Sequence, residues 1–223
     1  MTFYAQMTSS LGPILLSSNG SSLNGLYFVG QADCPSPDGE KRQAPGRADP
    51  TAGLMAGVPI RRFKAYKNTA MAPTLFDELN LRPTGATATQ RACGPVALKQ
   101  PNTPDSAIAL FEQTQHELDE YFQGVRKVFT IPLSLEGSDF QKKVWQALLA
   151  IPYGEFVSYG DVAQAAGLTP QHGRPVGTAV GRNPLTIIVP CHRVLAGNGS
   201  LNGYSGGLER KFALLELEGF ILR

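Results

Sequence analysis

A cysteine and a histidine stand side by side in the run VPCHRVL, residues 189–195. A cysteine thiol with its ordinary pKa of about 8.5 is only slightly ionised at neutral pH, so a nucleophilic Cys191 needs a base or a positive charge nearby. His192 is the obvious base. Because neighbouring side chains of an extended chain point to opposite sides, we expect the proton to pass between them through one ordered water molecule.

Glu218 is the candidate for the group that orients this histidine. The run GGLERKFALLELEG predicts a helix whose buried face carries Leu208, Phe212 and Leu215. Glu218 follows Leu215 by three residues, at the edge of that face, and is placed to fix the imidazole tautomer and to stabilise the protonated ring. From spacing alone, a structural role for Cys191 and a solvated helix end at Glu218 stay open.

The elements around Cys191 are predicted from the neighbouring sequence. The β-branched run LTIIV, residues 185–189 between two prolines, predicts a buried strand that ends near Cys191. Two short helices are predicted further upstream. One begins with a capping box from Ser138 to Gln141, and the next with a similar pair, Ser158 and Asp161.

A third helix is predicted in TPQHGRPVGTAVGRNP, beginning near His172 or Gly173 with Arg174 at its leading edge. Pro175 is tolerated only in a first turn. The second and third helices form a helix-turn-helix pattern, which alone is weak evidence of DNA binding. Small residues that are costly or neutral choices for helix stability suggest that the backbone of this helix comes very close to something: Gly177, Ala179 and Gly181.

The N-terminal part is predicted to be a hairpin and a helix separated by an insert. The runs at 12–18 and 25–30 predict a hairpin, and the helix beginning at Pro104 and ending before Gly124 is expected to pack on it. Proline and glycine recur throughout the region from about 34 to 100, which predicts a loop-rich insert. Within it, IRRFKAYK at 60–67 predicts a strand whose basic face is more typical of a solvated surface than of a nucleic-acid patch.

Composition excludes some classes of protein. The chain has 223 residues, 42% of them hydrophobic, and a net charge of only +2, so the whole-molecule field gives no strong case for a polyanion partner. We see neither a signal peptide nor a membrane span, and expect a cytoplasmic protein. The three widely spaced cysteines (Cys34, Cys93 and Cys191) and the three histidines predict neither a disulfide framework nor a metal site.

Three runs together resemble the successive motifs of the O6-alkylguanine-DNA alkyltransferases: PYGEFVSYGDVAQAAG, RPVGTAVGRNPLTIIVPCHRV and GYSGGLERKFALLELEG. The resemblance is close over roughly residues 133–220. It implies an α/β (α+β) protein with a ribonuclease-H-like domain at 1–130, carrying the insert, and a helical domain at 131–223 with a winged-helix-like helix-turn-helix. It also implies single-turnover repair, in which Cys191 keeps the alkyl group from O6 of guanine; O4-alkylthymine stays open as a second substrate.

The resemblance also implies roles for particular residues. His192 and Glu218 take the relay positions, and Asn183 is the hinge that ties adjacent turns together. Tyr159 meets a ring nitrogen of the guanine. The remaining pocket residues are Val194 through its carbonyl, Ser205 through its backbone amide, Tyr204 as a wall, and Asn202 on the pocket-side loop, where some members have glycine.

For DNA, the resemblance implies minor-groove binding by a monomer, with the target base flipped out of the duplex. Arg174 fills the vacated stack, and the other expected DNA contacts are Gly177, Ala179, Gly181 and Arg182. Some relatives carry an N-terminal zinc, but no cofactor or metal is expected here. Two other functions stay open: a non-catalytic alkyl-lesion binder on the same scaffold, and a thiol hydrolase that uses Cys191 with turnover.

Overall fold

The computed structural model describes residues 1–31, 33–36 and 93–220. These ranges form a small antiparallel sheet covered by one long helix, followed by a mainly helical region. The strand expected at 60–67, and with it most of the expected insert, lies outside the described residues.

The N-terminal sheet has four strands in the order β3-β2-β1-β4, each paired antiparallel with its neighbour. The predicted hairpin is present as β2 (Gly12–Ser18) and β3 (Leu23–Phe28). β1 (Phe3–Ser9), which the sequence patterns did not reveal, pairs with β2 along its whole length. β4 (Ala97–Leu98) extends the sheet beside β1, so the last residues of the expected insert lie in the sheet.

The helix predicted after Pro104 is α1 (Asp105–Phe122). It ends just before Gly124, whose φ of 77° is in the left-handed region that favours glycine. Its buried face includes Phe111 and Leu118, and these side chains belong to one hydrophobic cluster that also contains residues of the sheet and of the C-terminal helices. The two halves of the chain therefore share a continuous core.

The C-terminal region begins with α2 (Asp139–Leu149) and α3 (Tyr159–Ala165), and both predicted capping boxes are present. A short 3-10 turn leads into α4 (Gly173–Gly181), which completes the helix-turn-helix. Because α4 begins at Gly173, Pro175 lies in its first turn, where a missing N–H breaks no helical hydrogen bond. α5 (Leu208–Leu217) follows, and two short strands, β5 (Val157–Ser158) and β6 (Val194–Leu195), pair in parallel.

The strand predicted at 185–189 is wrong. Leu185 forms an isolated bridge with Leu26 of β3, and then the chain turns tightly: Ile187 has a φ of 75°, and Ile188 N–H donates to the Thr186 carbonyl at 3.0 Å. A second tight turn joins Cys191 N–H to the Val189 carbonyl at 2.8 Å. The apolar side chains of this run are buried, but in a compact loop, which we call the active-site loop (residues 183–191).

The edge of β3 holds this loop against the N-terminal sheet. Leu26 N–H donates to the Pro184 carbonyl at 2.8 Å, and the Leu26 carbonyl accepts from Thr186 N–H at 3.0 Å. The same strand, at Leu23, is hydrogen-bonded to residues 132 and 134 of the segment that leads to α2. Among the described residues, no helix combines the length and apolar character needed to cross a bilayer.

Candidate active site around Cys191

Cys191 opens a 3-10 turn, Cys191–Arg193, and is only 3% exposed. The side-chain amide of Asn183 donates to its sulfur at 3.0 Å. Burial raises the pKa of the thiol, although the hydrogen bond from Asn183 and the positive charge of Lys211 act in the opposite direction. The resting thiol is therefore protonated at neutral pH, and its use as a nucleophile requires a base.

His192 is buried completely and has the properties of that base. Its Nε2 lies 2.8 Å from Oε1 of Glu218. A carboxylate only accepts hydrogen bonds, so Nε2 carries the proton and Nδ1 carries the lone pair. Burial lowers the pKa of His192, against the opposing effect of Glu218, and keeps the ring neutral. Nδ1 is buried and has no hydrogen-bond partner in the part of the chain that the structure describes.

Glu218 lies at the end of α5 and is buried, so the solvated interpretation is wrong. Besides His192, its carboxylate accepts three hydrogen bonds from Arg193, at 2.9, 2.9 and 3.2 Å, and one from the Tyr121 hydroxyl at 2.7 Å. The backbone N–H of Gly154 donates to it at 3.2 Å. Burial alone would raise the pKa of Glu218, but His192 and Arg193 outweigh it and lower the pKa to about 2.

Asn183 connects the active-site loop to the thiol. Its side-chain oxygen accepts from Leu185 N–H at 3.0 Å, and its nitrogen donates to the Val189 carbonyl at 2.7 Å as well as to Cys191. One amide thus bridges adjacent turns, the geometry expected for Asn183, and also contacts the Cys191 sulfur. No feature of the sequence predicted the contact between Asn183 and the sulfur.

Lys211 is a site residue that the sequence analysis missed. Its side chain is fully buried on α5, and Nζ donates to the carbonyls of Val194 at 2.6 Å and Asn202 at 2.9 Å. Burial lowers the pKa of Lys211 to about 8, although the nearby Cys191 acts to raise it. The signal was its spacing, three residues after Leu208 and four before Leu215, which places it on the apolar face of α5.

Arg193 was also missed, although it follows His192 directly. It is 6% exposed, and besides its pair with Glu218 it donates through Nη1 to the Ile151 carbonyl at 2.6 Å. The planar guanidinium of Arg193 thus positions the Glu218 carboxylate, which in turn positions His192. Nothing in the spacing of the sequence predicts that Arg193, directly after Cys191 and His192, is buried.

Two of the expected pocket residues lie at the starts of α3 and β6. Tyr159 is the first residue of α3 and is half-buried; burial, with a contribution from Cys191, raises its pKa. Val194 is the first residue of β6. Its carbonyl accepts a hydrogen bond from Lys211 at 2.6 Å.

The other expected pocket residues lie on the loop before α5. The hydroxyls of Tyr204 and Ser205 are buried and have no hydrogen-bond partner among the described residues. Asn202 is exposed, and its carbonyl accepts from Lys211. A Cβ at Gly206 would lie 2.7 Å from the Tyr204 ring and 3.0 Å from Phe28, so this loop packs closely only because position 206 is glycine.

On α4, the structure separates the residues expected to contact DNA. Arg174 and Arg182 are exposed at its two ends, while Gly177 and Gly181 are half-exposed. Ala179 departs from the expectation: it is 2% exposed, and its carbonyl accepts from the Trp145 indole at 2.9 Å. The small side chain of Ala179 therefore allows α4 to pack against α2 and does not form part of an outward face.

In the described ranges, no group of three or more histidine, cysteine, aspartate or glutamate side chains is arranged to hold a metal ion.

The fold and the site together define a protein with a buried cysteine thiol, a histidine–carboxylate pair and a helix-turn-helix. The family model described as the 6-O-methylguanine DNA methyltransferase DNA binding domain matches residues 139–220, and the one described as the ribonuclease-like domain of the same family matches residues 79–135. Together they span more than half of the chain.

Individual relatives agree with these models. A methylated-DNA–protein-cysteine methyltransferase from Mycobacterium leprae is 55% identical over 108 residues, which are 48% of this chain and 65% of that protein's own length. One from Methanosarcina acetivorans is 48% identical over 124 residues, 54% of this chain and 79% of the relative. This chain therefore belongs to the methylated-DNA–protein-cysteine methyltransferase family.

Solved structures extend the similarity to nearly the whole chain. The crystal structure of Mycobacterium tuberculosis O6-methylguanine methyltransferase is 31% identical and covers 98% of this chain and 93% of its own, with a TM-score of 0.61. A crystal structure of Mycobacterium tuberculosis OGT in complex with DNA has the same identity and TM-score, and covers 96% and 91%. The expected fold class, a ribonuclease-like domain joined to a helical DNA-binding domain, is confirmed.

Proposed function

We propose that this chain repairs alkylated DNA by moving the alkyl group from O6 of guanine irreversibly to Cys191. The observation that carries the proposal is the buried chain of contacts at the thiol. The side-chain amide of Asn183 donates to the Cys191 sulfur at 3.0 Å. The residue after Cys191 is His192, whose neutral imidazole is held at 2.8 Å by the ionised carboxylate of Glu218. Membership of the methyltransferase family supports the same function.

The reaction balances within the residues present. As the Cys191 sulfur forms a bond to the alkyl carbon, the bond from that carbon to O6 breaks, and its electron pair leaves with guanine. The thiol proton passes, through a water molecule, to the lone pair on Nδ1 of His192, and Glu218 stabilises the imidazolium that results. Tyr159 donates to the departing guanine. Tyr159 keeps its own proton: the guanine anion takes up a proton from solvent and the imidazolium releases one to solvent, so the products are neutral guanine, neutral His192 and a thioether at Cys191.

The burial of Cys191 supports base flipping. A sulfur that is 3% exposed cannot reach a substituent inside a base-paired stack, so the guanine must enter the protein pocket. In our proposal α4 lies in the minor groove, because its half-exposed glycines at 177 and 181 allow a close backbone approach. Arg174 fills the space that the base leaves. The chain acts as a monomer, since one copy supplies Cys191 with both His192 and Glu218.

The direct test is the intact mass of the protein after incubation with a duplex that contains O6-methylguanine. We expect a gain of one methyl group, located at Cys191, with one guanine restored per protein molecule. The matched control is Cys191→Ser, which keeps a similar shape with a much weaker nucleophile and should gain nothing. Wild-type protein that gains no mass while the DNA stays unrepaired would refute the proposal. The lesion binder and the thiol hydrolase would then be the remaining functions.

Base flipping predicts a specific effect of Arg174→Ala. Filling the vacated stack offsets part of the few kcal/mol that unstacking costs, so the variant should repair duplex DNA about tenfold more slowly. Its reaction with free O6-methylguanine base should not change. The control is Lys143→Ala, which removes one exposed positive charge from α2 and not from α4. Equal slowing of Arg174→Ala on duplex and on free base would count against a stacking role.

A further inference from the structure

One of the hydrogen bonds to Glu218 comes from the N-terminal half of the molecule. Tyr121, in the last turn of α1, donates its hydroxyl to Oε1 of Glu218 at 2.7 Å. Nε2 of His192 lies 2.8 Å from the same oxygen. The tyrosine of one half and the histidine of the other therefore share a single acceptor atom, although Tyr121 lies 97 positions from Glu218 in the chain.

The surroundings of Tyr121 fix the direction of this hydroxyl. The side chain is 0% exposed, and its ring packs against Phe129 at 5.4 Å and edge-on against Tyr153 at 6.1 Å between centroids. Burial and the negative charge of Glu218 raise the pKa of Tyr121 well above its ordinary value. The hydroxyl consequently keeps its proton at every physiological pH and can only donate to the carboxylate.

We propose that Tyr121 is a positioning residue for proton transfer, because its hydroxyl holds Oε1 of Glu218 where His192 needs it and withdraws negative charge from that oxygen. The inference rests on the function proposed for Cys191. No bond of Tyr121 breaks during the reaction: the proton moves from the Cys191 sulfur to Nδ1 of His192, while the tyrosine keeps its own proton. The sheet-and-helix half of the chain then takes part in setting the basicity of the histidine.

The direction of the effect follows from elementary electrostatics. A donor that stabilises the carboxylate charge makes that carboxylate a weaker partner for an imidazolium, so loss of the hydroxyl should raise the pKa of His192. Arg193 and the Gly154 N–H remain on the carboxylate and keep it ionised. Among the described residues, the other titratable or charged groups that face the His192–Glu218 pair include Cys191, Lys211, Tyr153 and Tyr204.

The test compares Tyr121→Phe with Tyr153→Phe in the full chain. Both variants remove one hydroxyl and keep the ring, but the Tyr153 hydroxyl donates to the Leu217 carbonyl at 3.0 Å and not to Glu218. The first measurement is the pH titration of His192 by nitrogen NMR, which needs no substrate. The second is the single-turnover rate of methyl transfer across pH, normalised to the folded fraction.

For Tyr121→Phe we expect a higher His192 pKa, an acid limb of the rate profile moved to higher pH, and a rate at the plateau that is roughly three- to tenfold lower. Tyr153→Phe leaves every hydrogen bond to the Glu218 carboxylate in place, so it should move the His192 pKa and the acid limb clearly less than Tyr121→Phe does. A second variant places a fluorinated tyrosine at 121, which keeps the ring, donates more strongly and should move the His192 pKa downward. This variant tests the role even if Tyr121→Phe does not fold.

An active wild type with the same His192 pKa in both position-121 variants would overturn the role of Tyr121 and leave the proposed function intact. A wild type that leaves O6-methylguanine untouched would instead refute the proposed function. Because the NMR titration is independent of activity, the two failures are distinguishable.

Discussion

At the scale of single residues, the site combines a protonated thiol, a neutral imidazole and an ionised carboxylate, all buried. Burial alone would favour the neutral form of every one of them. Glu218 is the exception because His192 and Arg193 hold its pKa at about 2. The negative charge is thus present in the resting protein, as the proposed proton transfer to His192 requires.

The stability that Glu218 contributes should depend on pH. Its pKa is lowered from 4.5 to about 2 on folding, so its contribution is complete above the higher value and is lost as the pH falls toward the lower one. We expect Glu218→Gln to cost about 3 kcal/mol in the free energy of unfolding near neutral pH, because it leaves Arg193 buried without its anion. The difference from wild type should shrink as the pH falls toward about 3.

Urea unfolding at several pH values, followed by the fluorescence of Trp145, measures this difference. Glu209→Gln is the matched control, because Glu209 lies exposed on the same helix and should show little difference at any pH. A gap between Glu218→Gln and wild type that stays constant from neutral to acid pH would contradict the assignment of the low pKa to Glu218.

Some of these residues were predicted from the sequence and others were not. The position of Glu218 relative to the leucines of α5 predicted the pair with His192, because helical spacing is local information. The contact of Tyr121 with Glu218 could not be predicted, since no spacing rule relates the tyrosine to a carboxylate 97 positions away. Lys211 lay within reach on the apolar face of α5, but a lysine there is usually exposed.

At the scale of elements, the capped helices were predicted well and the active-site loop was not. Two capping boxes and the glycine after α1 are local signals, and the structure has them all. The run at 185–189 is as apolar as a buried strand, yet the amide of Asn183 and the bridge to Leu26 hold it in successive turns. Composition predicted its burial, whereas its shape depends on partners distant in the sequence.

The glycines of α4 allow a test of the minor-groove proposal. Among the described residues, apart from its chain neighbours and the backbone of α4, no atom lies within 4 Å of a Cβ built at Gly181, so Gly181→Ala should stabilise the helix by about 0.5–1 kcal/mol. If the backbone of α4 approaches DNA there, the added methyl group should weaken duplex binding and slow duplex repair, while reaction with the free base continues at the wild-type rate. Thermal unfolding, DNA titration and single-turnover repair measure the three effects.

Gly160→Ala is the control for this variant. It also adds a methyl group to a helix, but its Cβ would lie 3.5 Å from Ser158 and 3.9 Å from Pro170, facing the protein. DNA binding by Gly160→Ala should not change. Unaltered duplex affinity in Gly181→Ala would argue against close approach of α4 to the groove at this position.

At the scale of the whole molecule, the two halves are joined at the active site. One hydrophobic cluster includes Leu118 of α1 and Trp145 of α2, β3 is hydrogen-bonded to the active-site loop, and Tyr121 contacts Glu218. The sequence predicted the order of the two regions from their motifs. It did not predict how closely the sheet supports the thiol, because β1 and the contacts of β3 have no motif.

This shared core predicts that the described regions unfold in one cooperative transition. The fluorescence of Trp145, the only tryptophan of the chain, reports on the C-terminal region, and hydrogen exchange of β1 to β3 reports on the sheet. Leu118→Ala, at a fully buried position, should lower both midpoints together at a cost of about 2–4 kcal/mol, because the cluster it weakens belongs to both halves. Leu98→Ala, at a position that is 41% exposed on β4, should change neither by more than about 0.5 kcal/mol. A sheet that melts earlier in Leu118→Ala while the Trp145 midpoint stays in place would show two independent units.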